Sequence, residues 1–303
     1  MGQFHRTKDG LLNLHLFSSS DCIVFVEGGK YSYNLEQIKN NNFSKESPDI
    51  IFWEGLFEKI SNQNKKFEFR AVGSCETLEA ILFEIGNKSH PTIKICLDKD
   101  RKEFWGTIYS SPCYTRGYSW ENELINPVVI RKTLFTLIRT SPSDIFDDVT
   151  TDINNLISEI RSSLSWAVHA DIVLGGMGSS LLYRNTPNKS LDTESTRPYL
   201  LAKPRLRSRY RCKRRGCSKK FREKKTITDT IANVPQNPEL FCFGHLVSKI
   251  FYRVIEHLVK KYGKWQNIHF EIIENIGINQ FLTYLVNNKN SLEYKYYEKQ
   301  LLS

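Results

Sequence analysis

The chain has 303 residues, 40% hydrophobic and 25% charged, enough apolar material for a sizeable core and about two domains' worth of length. It carries 43 Lys and Arg against 33 Asp and Glu, a formal charge of +10, which points to a polyanionic partner. Seven scattered cysteines make no disulfide framework, and no apolar run approaches the roughly 18 residues of a membrane span.

Met1–Arg6 lacks a secretory core and a myristoylation signal, so the expected location is the cytoplasm, with no membrane partner. Ser20–Gly29 reads as a buried strand closed by Glu27 and two turning glycines. Phe52, Leu56, Phe57 and Ile60 follow helical spacing within Ile51–Ile60, with Gly55 interrupting the pattern. Phe67–Val72 alternates like a strand and meets Gly73. Ser74 is the expected N-cap of a helix over Cys75–Ile85, with Leu78, Ile81, Leu82 and Ile85 on one face. A β-branched run from Thr92 to Leu97 then stops at Asp98-Lys99-Asp100. Gly106–Tyr109 reads as a further short strand. This alternation argues for an α/β fold with a mainly parallel sheet and flanking helices.

In such sheets ligands gather beyond the carboxyl ends of the strands. Glu27 ends one predicted strand, and Asp98 and Asp100 end another. If the strand persists through both aspartates, alternation aims them the same way. Converging carboxylates repel unless a cation compensates, and oxygen-only ligands suit Mg²⁺ (or Mn²⁺). The competing reading is an acidic turn capping a strand. Glu121 and Glu123 follow the aromatic pair Tyr118 and Trp120; acids there also suit a helix N-terminus.

Beyond Pro127 the pattern turns helical. Val128–Arg139 is a predicted helix, Ser141–Asp144 a helix-start signal, and Ile153–Leu164 an amphipathic stripe. Leu174–Ser180 is glycine-rich but lacks the Gly-Lys-Ser/Thr of a P-loop, and reads as a flexible connection. A second stripe runs from Leu246 to Leu258, and helices are expected over Ile268–Leu285 and Leu292–Leu302. There are no internal repeats. The expected domains are 1–130, carrying the sheet, and 131–303, mostly α-helical with a basic insertion at 203–225.

That insertion holds most of the excess charge: Lys203, Arg205, Arg207, Arg209, Arg211, Lys213, Arg214, Arg215, Lys219, Lys220, Arg222, Lys224 and Lys225, opposed by Glu223 alone. Arg205, Arg207, Arg209 and Arg211 alternate, as on one face of a β-ribbon. A solvated loop ordered by phosphates is the other reading. Tyr210 and Phe221 offer stacking surfaces for unpaired bases. Cys212 and Cys217, with Cys242 and His245 downstream, form a candidate Zn²⁺ set, set against the reading that these cysteines are small buried hydrophobes.

Val26-Glu27-Gly28 after a first strand, Gly73 after a second and Asp98-Lys99-Asp100 after a third resemble the Toprim signature of topoisomerases, primases and OLD-family nucleases. Tyr118-Ser119-Trp120-Glu121-Asn122-Glu123-Leu124, followed by Pro127, is similar to a narrower group, the Toprim-like nuclease effectors of bacterial anti-phage defence. The helical second half and the Gly244-His245 pair fit that group in layout. The motif match covers roughly residues 20–130. Many Toprim proteins carry an acid shortly after the glutamate; Gly29-Lys30-Tyr31-Ser32 has none.

The resemblance implies a Toprim-like catalytic domain in which Glu27, Asp98 and Asp100 hold Mg²⁺. Glu121 would be a further ligand or water positioner, and Glu27 a general base. It implies a metal-dependent nuclease held by an ABC-class ATPase partner, released on infection as a homodimer that cleaves host tRNA and arrests growth. Arg205, Arg207, Arg209, Arg211, Lys213, Arg214, Arg215, Lys219 and Lys220 would contact phosphates. Two alternatives stand beside it: an OLD-type DNA nuclease, and a nucleic-acid-binding module without catalysis. An adaptor controlled by an ATPase is a further rival; lacking a P-loop, it would take ATP dependence from another chain.

Overall fold

The computed structural model describes residues 8–61, 64–138, 145–216, 237–264 and 268–302, with residues 8 and 9 described in backbone only. The expected helix start at Ser141–Asp144, together with Cys217, Lys219, Lys220, Phe221, Arg222, Glu223, Lys224 and Lys225, lies outside the described residues. No helix of the described residues is long and apolar enough to cross a membrane.

The chain divides into two units. One comprises Met1–Lys99, Ile108–Arg116 and Leu282–Ser303, the other Asp100–Thr107 and Gly117–Phe281. The division therefore differs from the single cut at residue 130 expected from the sequence. The C-terminal segment belongs with the sheet for a packing reason. Tyr297 is fully buried against Phe52 and Trp53, at ring separations of 5.8 and 6.2 Å, and the Gln300 side chain accepts the Tyr114 N–H at 2.9 Å.

The first unit is α/β. Strands β1 (Cys22–Val26), β2 (Phe67–Ala71), β3 (Ile93–Leu97) and β4 (Cys113–Tyr114) form one parallel sheet in the order β2-β1-β3-β4. Every residue of β1 is buried, as a strand covered on both faces requires. Its helices are α1 (Lys8–Leu12), α2 (Leu35–Lys39), α3 (Pro48–Ile60) and α4 (Cys75–Glu84). Ile23, Phe25, Ile93, Ile95 and Leu97 pack with Leu78, Ile81 and Leu82 of α4 on one side of the sheet. On the other side, Phe57 of α3 meets Phe67 and Phe69 edge-on at 4.8 and 5.5 Å. Ser47 and Ser74 cap α3 and α4 by accepting the N–H of Ile50 and Thr77.

Two short segments depart from expectation. Gly106–Tyr109 is not a strand: Gly106 ends helix α5 (Lys102–Trp105), and Thr107 and Ile108 are exposed. The fourth strand is Cys113–Tyr114 instead, because these residues are buried and pair with Cys96 and Leu97. Strand β3 stops at Leu97, short of the aspartates.

The second unit is helical, with α6 (Pro127–Ile138), α7 (Phe146–Gly175), α8 (Lys203–Gly216) and α9 (Gly244–Tyr262); α10 (Phe270–Asn287) runs through the unit boundary, and α11 (Leu292–Leu302) closes the chain in the first unit. Leu246, Ile250, Phe251, Val254, Ile255 and Leu258 of α9 are buried, as their spacing predicts. Leu174–Ser180 is not a loose connection. Leu174 and Gly175 complete α7, the Gly176 N–H bonds the Ile172 carbonyl at 3.2 Å, and Gly176 leaves no room for a Cβ against the Trp105 ring. The alternating arginines lie on helix α8, so neither a ribbon nor a loop forms at Lys203–Gly216.

Gly73 has φ +93°, and a Cβ there would run into the Tyr31 carbonyl and the Ser32 backbone. It lets the loops after β1 and β2 close on each other, where the Tyr33 N–H bonds the Val72 carbonyl at 3.0 Å. Gly73→Ala is expected to cost on the order of 1–3 kcal/mol of stability, read as a lower urea midpoint at unchanged slope.

Candidate functional site

The order of the strands decides where a ligand site can form in the first unit. From β1 the chain moves one way to β2, then returns across β1 to β3. The reversal falls between β1 and β3, and in open parallel sheets the crevice at such a switch point lies beyond the strand carboxyl ends. Glu27 follows β1 and Asp98 follows β3. The two strands are paired with Val26 opposite Cys96. Glu27 is half-buried with its Oε2 atom enclosed, and Gly28 (φ +84°) lies so close to the Asp49 carboxylate that a Cβ would clash with it. Both acids thus belong to the edge that the topology marks as the ligand-binding one.

Asp100 does not continue β3. The Lys99 N–H turns aside to the Thr115 hydroxyl at 2.9 Å, and Asp100 takes the left-handed conformation at φ +49°. The strand alternation expected to align Asp98 with Asp100 is therefore absent. Asp100 is held within the second unit, where its N–H donates to the Tyr118 carbonyl at 2.6 Å and its carboxylate accepts the Tyr118 hydroxyl. Burial raises the Asp100 carboxyl above its usual range, opposed by Lys102, the Tyr118 hydroxyl, Arg184 and Arg101. Burial and the Asp100 charge together push the Tyr118 phenol up. Arg184 donates to the Tyr118 oxygen at 3.1 Å.

Glu121 sits in a buried 3-10 turn, Trp120–Leu124, and is 6% exposed. Asn122 pins this turn by donating to the carbonyls of Glu239 and Cys242 at 2.5 and 2.8 Å. Gly244, the first residue of α9, leaves no space for a Cβ between the Ser119 hydroxyl and the Glu121 carboxylate. That carboxylate therefore rests on the helix N-terminus, where the macrodipole favours negative charge. Burial nonetheless raises its pKa, with the Ser119 hydroxyl and His245 opposing and Asp100 reinforcing.

One turn further along α9, Ser248 donates to Glu274 of α10 at 2.5 Å. Burial pushes the Glu274 carboxyl up to about 7, with Ser248 opposing and Glu121 reinforcing. Glu274 belongs to none of the sequence motifs. Its signal was present: it lies four residues before Ile278 and seven before Phe281, on the buried stripe of α10. The Arg101–Asp171 ion pair likewise belongs to no sequence motif. It is buried, at 2.6 Å, and Asp171 further accepts the Ser180 hydroxyl and the Leu181 and Leu182 N–H groups. That pair fixes the turn after α7.

The candidate Zn²⁺ set is dispersed among the described residues. Cys212 is exposed on α8, Cys242 is fully buried with its thiol pushed up by burial, and His245 is exposed in the first turn of α9. Arg205, Arg207, Arg209, Arg211, Lys213, Arg214 and Arg215 all lie on α8. Among the described residues, no group of three or more His, Cys, Asp or Glu side chains is arranged to hold a metal ion. In comparisons with known proteins, no family model and no curated protein matches the chain.

The raised Glu274 carboxyl makes stability depend on pH. The folded protein favours the neutral acid, so this contribution is full below the ordinary value of 4.5 and is lost as pH rises through about 7. Glu274→Gln removes the titration and keeps a partner for Ser248. Relative to the unsubstituted protein it is expected to gain on the order of 3 kcal/mol between about pH 4 and about pH 8. The measurement is the difference in Tm at the two pH values; an equal offset at both would contradict the assignment.

Proposed function

We propose that the chain is a metal-dependent nuclease effector of the Toprim type. The observation that carries the reading is the pair of acids, Glu27 and Asp98, closing the two neighbouring strands that flank the switch point of a parallel sheet. Carboxylates at that edge suit a hard divalent cation that keeps several waters and needs only one or two protein carboxylates. The donor chemistry of Glu27 and Asp98 therefore fits Mg²⁺ or Mn²⁺. A cation held there would polarise a phosphoryl oxygen and acidify a bound water.

The residues of this chain would do the rest. Glu27 accepts the proton of the attacking water or hydroxyl. The cations of α8 supply non-specific attraction for the phosphate backbone, with the steep salt dependence of such contacts. In chain layout the protein is similar to the AriB subunit of the PARIS anti-phage system. By that analogy its substrate is host tRNA, its keeper an ABC-class ATPase like AriA, and its active form a homodimer. A DNA substrate, as in OLD-type nucleases, uses the same acids.

A second reading has its own support. No three-ligand acidic group occurs among the described residues, and Gly29–Ser32 lacks the further acid of many Toprim proteins. Both favour a binding module without hydrolysis.

Incubation with tRNA and with plasmid, each with Mg²⁺, distinguishes the readings. The proposal expects tRNA cleavage that requires the metal and that Glu27→Gln lowers by at least about a hundredfold, the scale of a lost general base. Unchanged thermal melting of that variant shows the fold to be intact. Mg²⁺-dependent cleavage retained by Glu27→Gln would refute the site, and tight binding without product would favour the second reading.

A further inference from the structure

Helix α8 carries one sign of charge along its length. Lys203, Arg205, Arg207, Arg211 and Lys213 form no salt bridge among the described residues, and Leu206 is the buried side chain of the helix. Arg207 and Arg211, one turn apart, repel each other, as do Arg211 and Arg215. What holds the helix in place is packing. Leu206 is fully buried, Arg209 stacks on the Tyr183 ring at 4.1 Å, and its guanidinium donates to the Ser180 carbonyl at 3.3 Å. A polyanion laid along the outer face would relieve the remaining repulsion.

A second feature lies beside that charge. Tyr210 of α8 meets Trp166 of α7 edge to face, with ring centroids 5.7 Å apart and planes at 79°. Trp166 remains 38% exposed, large for an indole on a packed helix, and Tyr210 is half-buried. On the helix surface Arg207 precedes Tyr210 by three residues and Lys213 follows it by three, so both are its neighbours. The aromatic pair is thus bracketed by cations spaced about 9 Å apart along the axis.

We propose that α8 and Trp166 form a docking face for an unpaired nucleic-acid strand, with Arg207 and Lys213 on phosphates and the Trp166–Tyr210 pair against an exposed base. Charge alone would serve any polyanion. The aromatic pair selects a single strand, because a duplex keeps its base faces stacked inside whereas an unpaired base offers its π-face to an aromatic ring. This inference deepens the nucleic-acid part of the function proposed above and is independent of hydrolysis.

The test is binding of labelled oligonucleotides to the full chain by fluorescence anisotropy, in EDTA so that cleavage plays no part. The probes are oligouridylate, oligodeoxyuridylate and a mixed-sequence duplex of equal length. Trp166→Ala is expected to weaken single-strand binding about 5- to 100-fold and duplex binding by less than about twofold. Tyr210→Ala should lose the same preference, while Trp166→Phe keeps the wild-type affinity within about threefold. Lys213→Ala should weaken single strand and duplex alike and reduce the salt slope by about one. The more tightly bound single strand identifies the sugar. Circular dichroism melting confirms that each variant is folded, and Tyr210→Ala carries the test if Trp166→Ala is not. The proposal is overturned if the aromatic variants leave single-strand binding unchanged, if they weaken duplex binding equally, or if the full chain binds no single strand.

Discussion

The pairing of β1 with both β2 and β3 is the constraint on which the first unit depends. A strand hydrogen-bonded on both edges and covered on both faces has nowhere to place a polar side chain within its length. Cys22–Val26 meets that demand with five buried apolar residues. Its first polar side chain beyond the ladder, Glu27, is therefore expelled to the carboxyl end. In β3 the half-buried Lys94 near its start is the one charged residue, and the buried run Ile95–Leu97 is followed by Asp98. The return of the chain across β1 makes these two ends adjacent. The acidic edge follows from strand order and burial together.

The second unit solves a different problem, the burial of carboxyl groups. Glu121 and Glu274 lie along the first turns of α9, one against Gly244 and one against Ser248. Each has a helix terminus or a hydroxyl to compensate it, and in each burial still outweighs that compensation. Asp171, by contrast, has a guanidinium and several N–H donors, and organises the end of α7. Such buried acids are the expensive features of this unit, and their partners come from turns and helix ends, where unsatisfied N–H groups and hydroxyls are available.

The charge along α8 illustrates how a pattern can be read correctly in kind and wrongly in form. Arginine at every second position suggested strand alternation. In the helix the same residues fall on two opposite sides, Arg205 with Arg209 and Arg207 with Arg211, and Leu206 is the buried contact. The alternation carried little information about period because charged residues tolerate either geometry when exposed. The apolar stripe of α9 carried much, since each of its positions is paid for in buried area and a change of period would expose it.

Local chemistry in the chain was sufficient to determine the alternation β1-α3-β2-α4-β3 of the first unit, the cap Ser74, the core stripes and the positions of Glu27, Asp98 and Glu121 after or between these elements. All of these depend on residues near one another in sequence. Tertiary structure alone decided that β3 ends before its aspartates, because the partners that turn the backbone there are Thr115 and Tyr118. It alone joined Leu282–Ser303 to the sheet, seated Glu274 beside α9 and set Trp166 against Tyr210. Each of these rests on a contact between distant segments, and a local pattern of hydrophobicity or charge does not specify which distant segment will supply the partner.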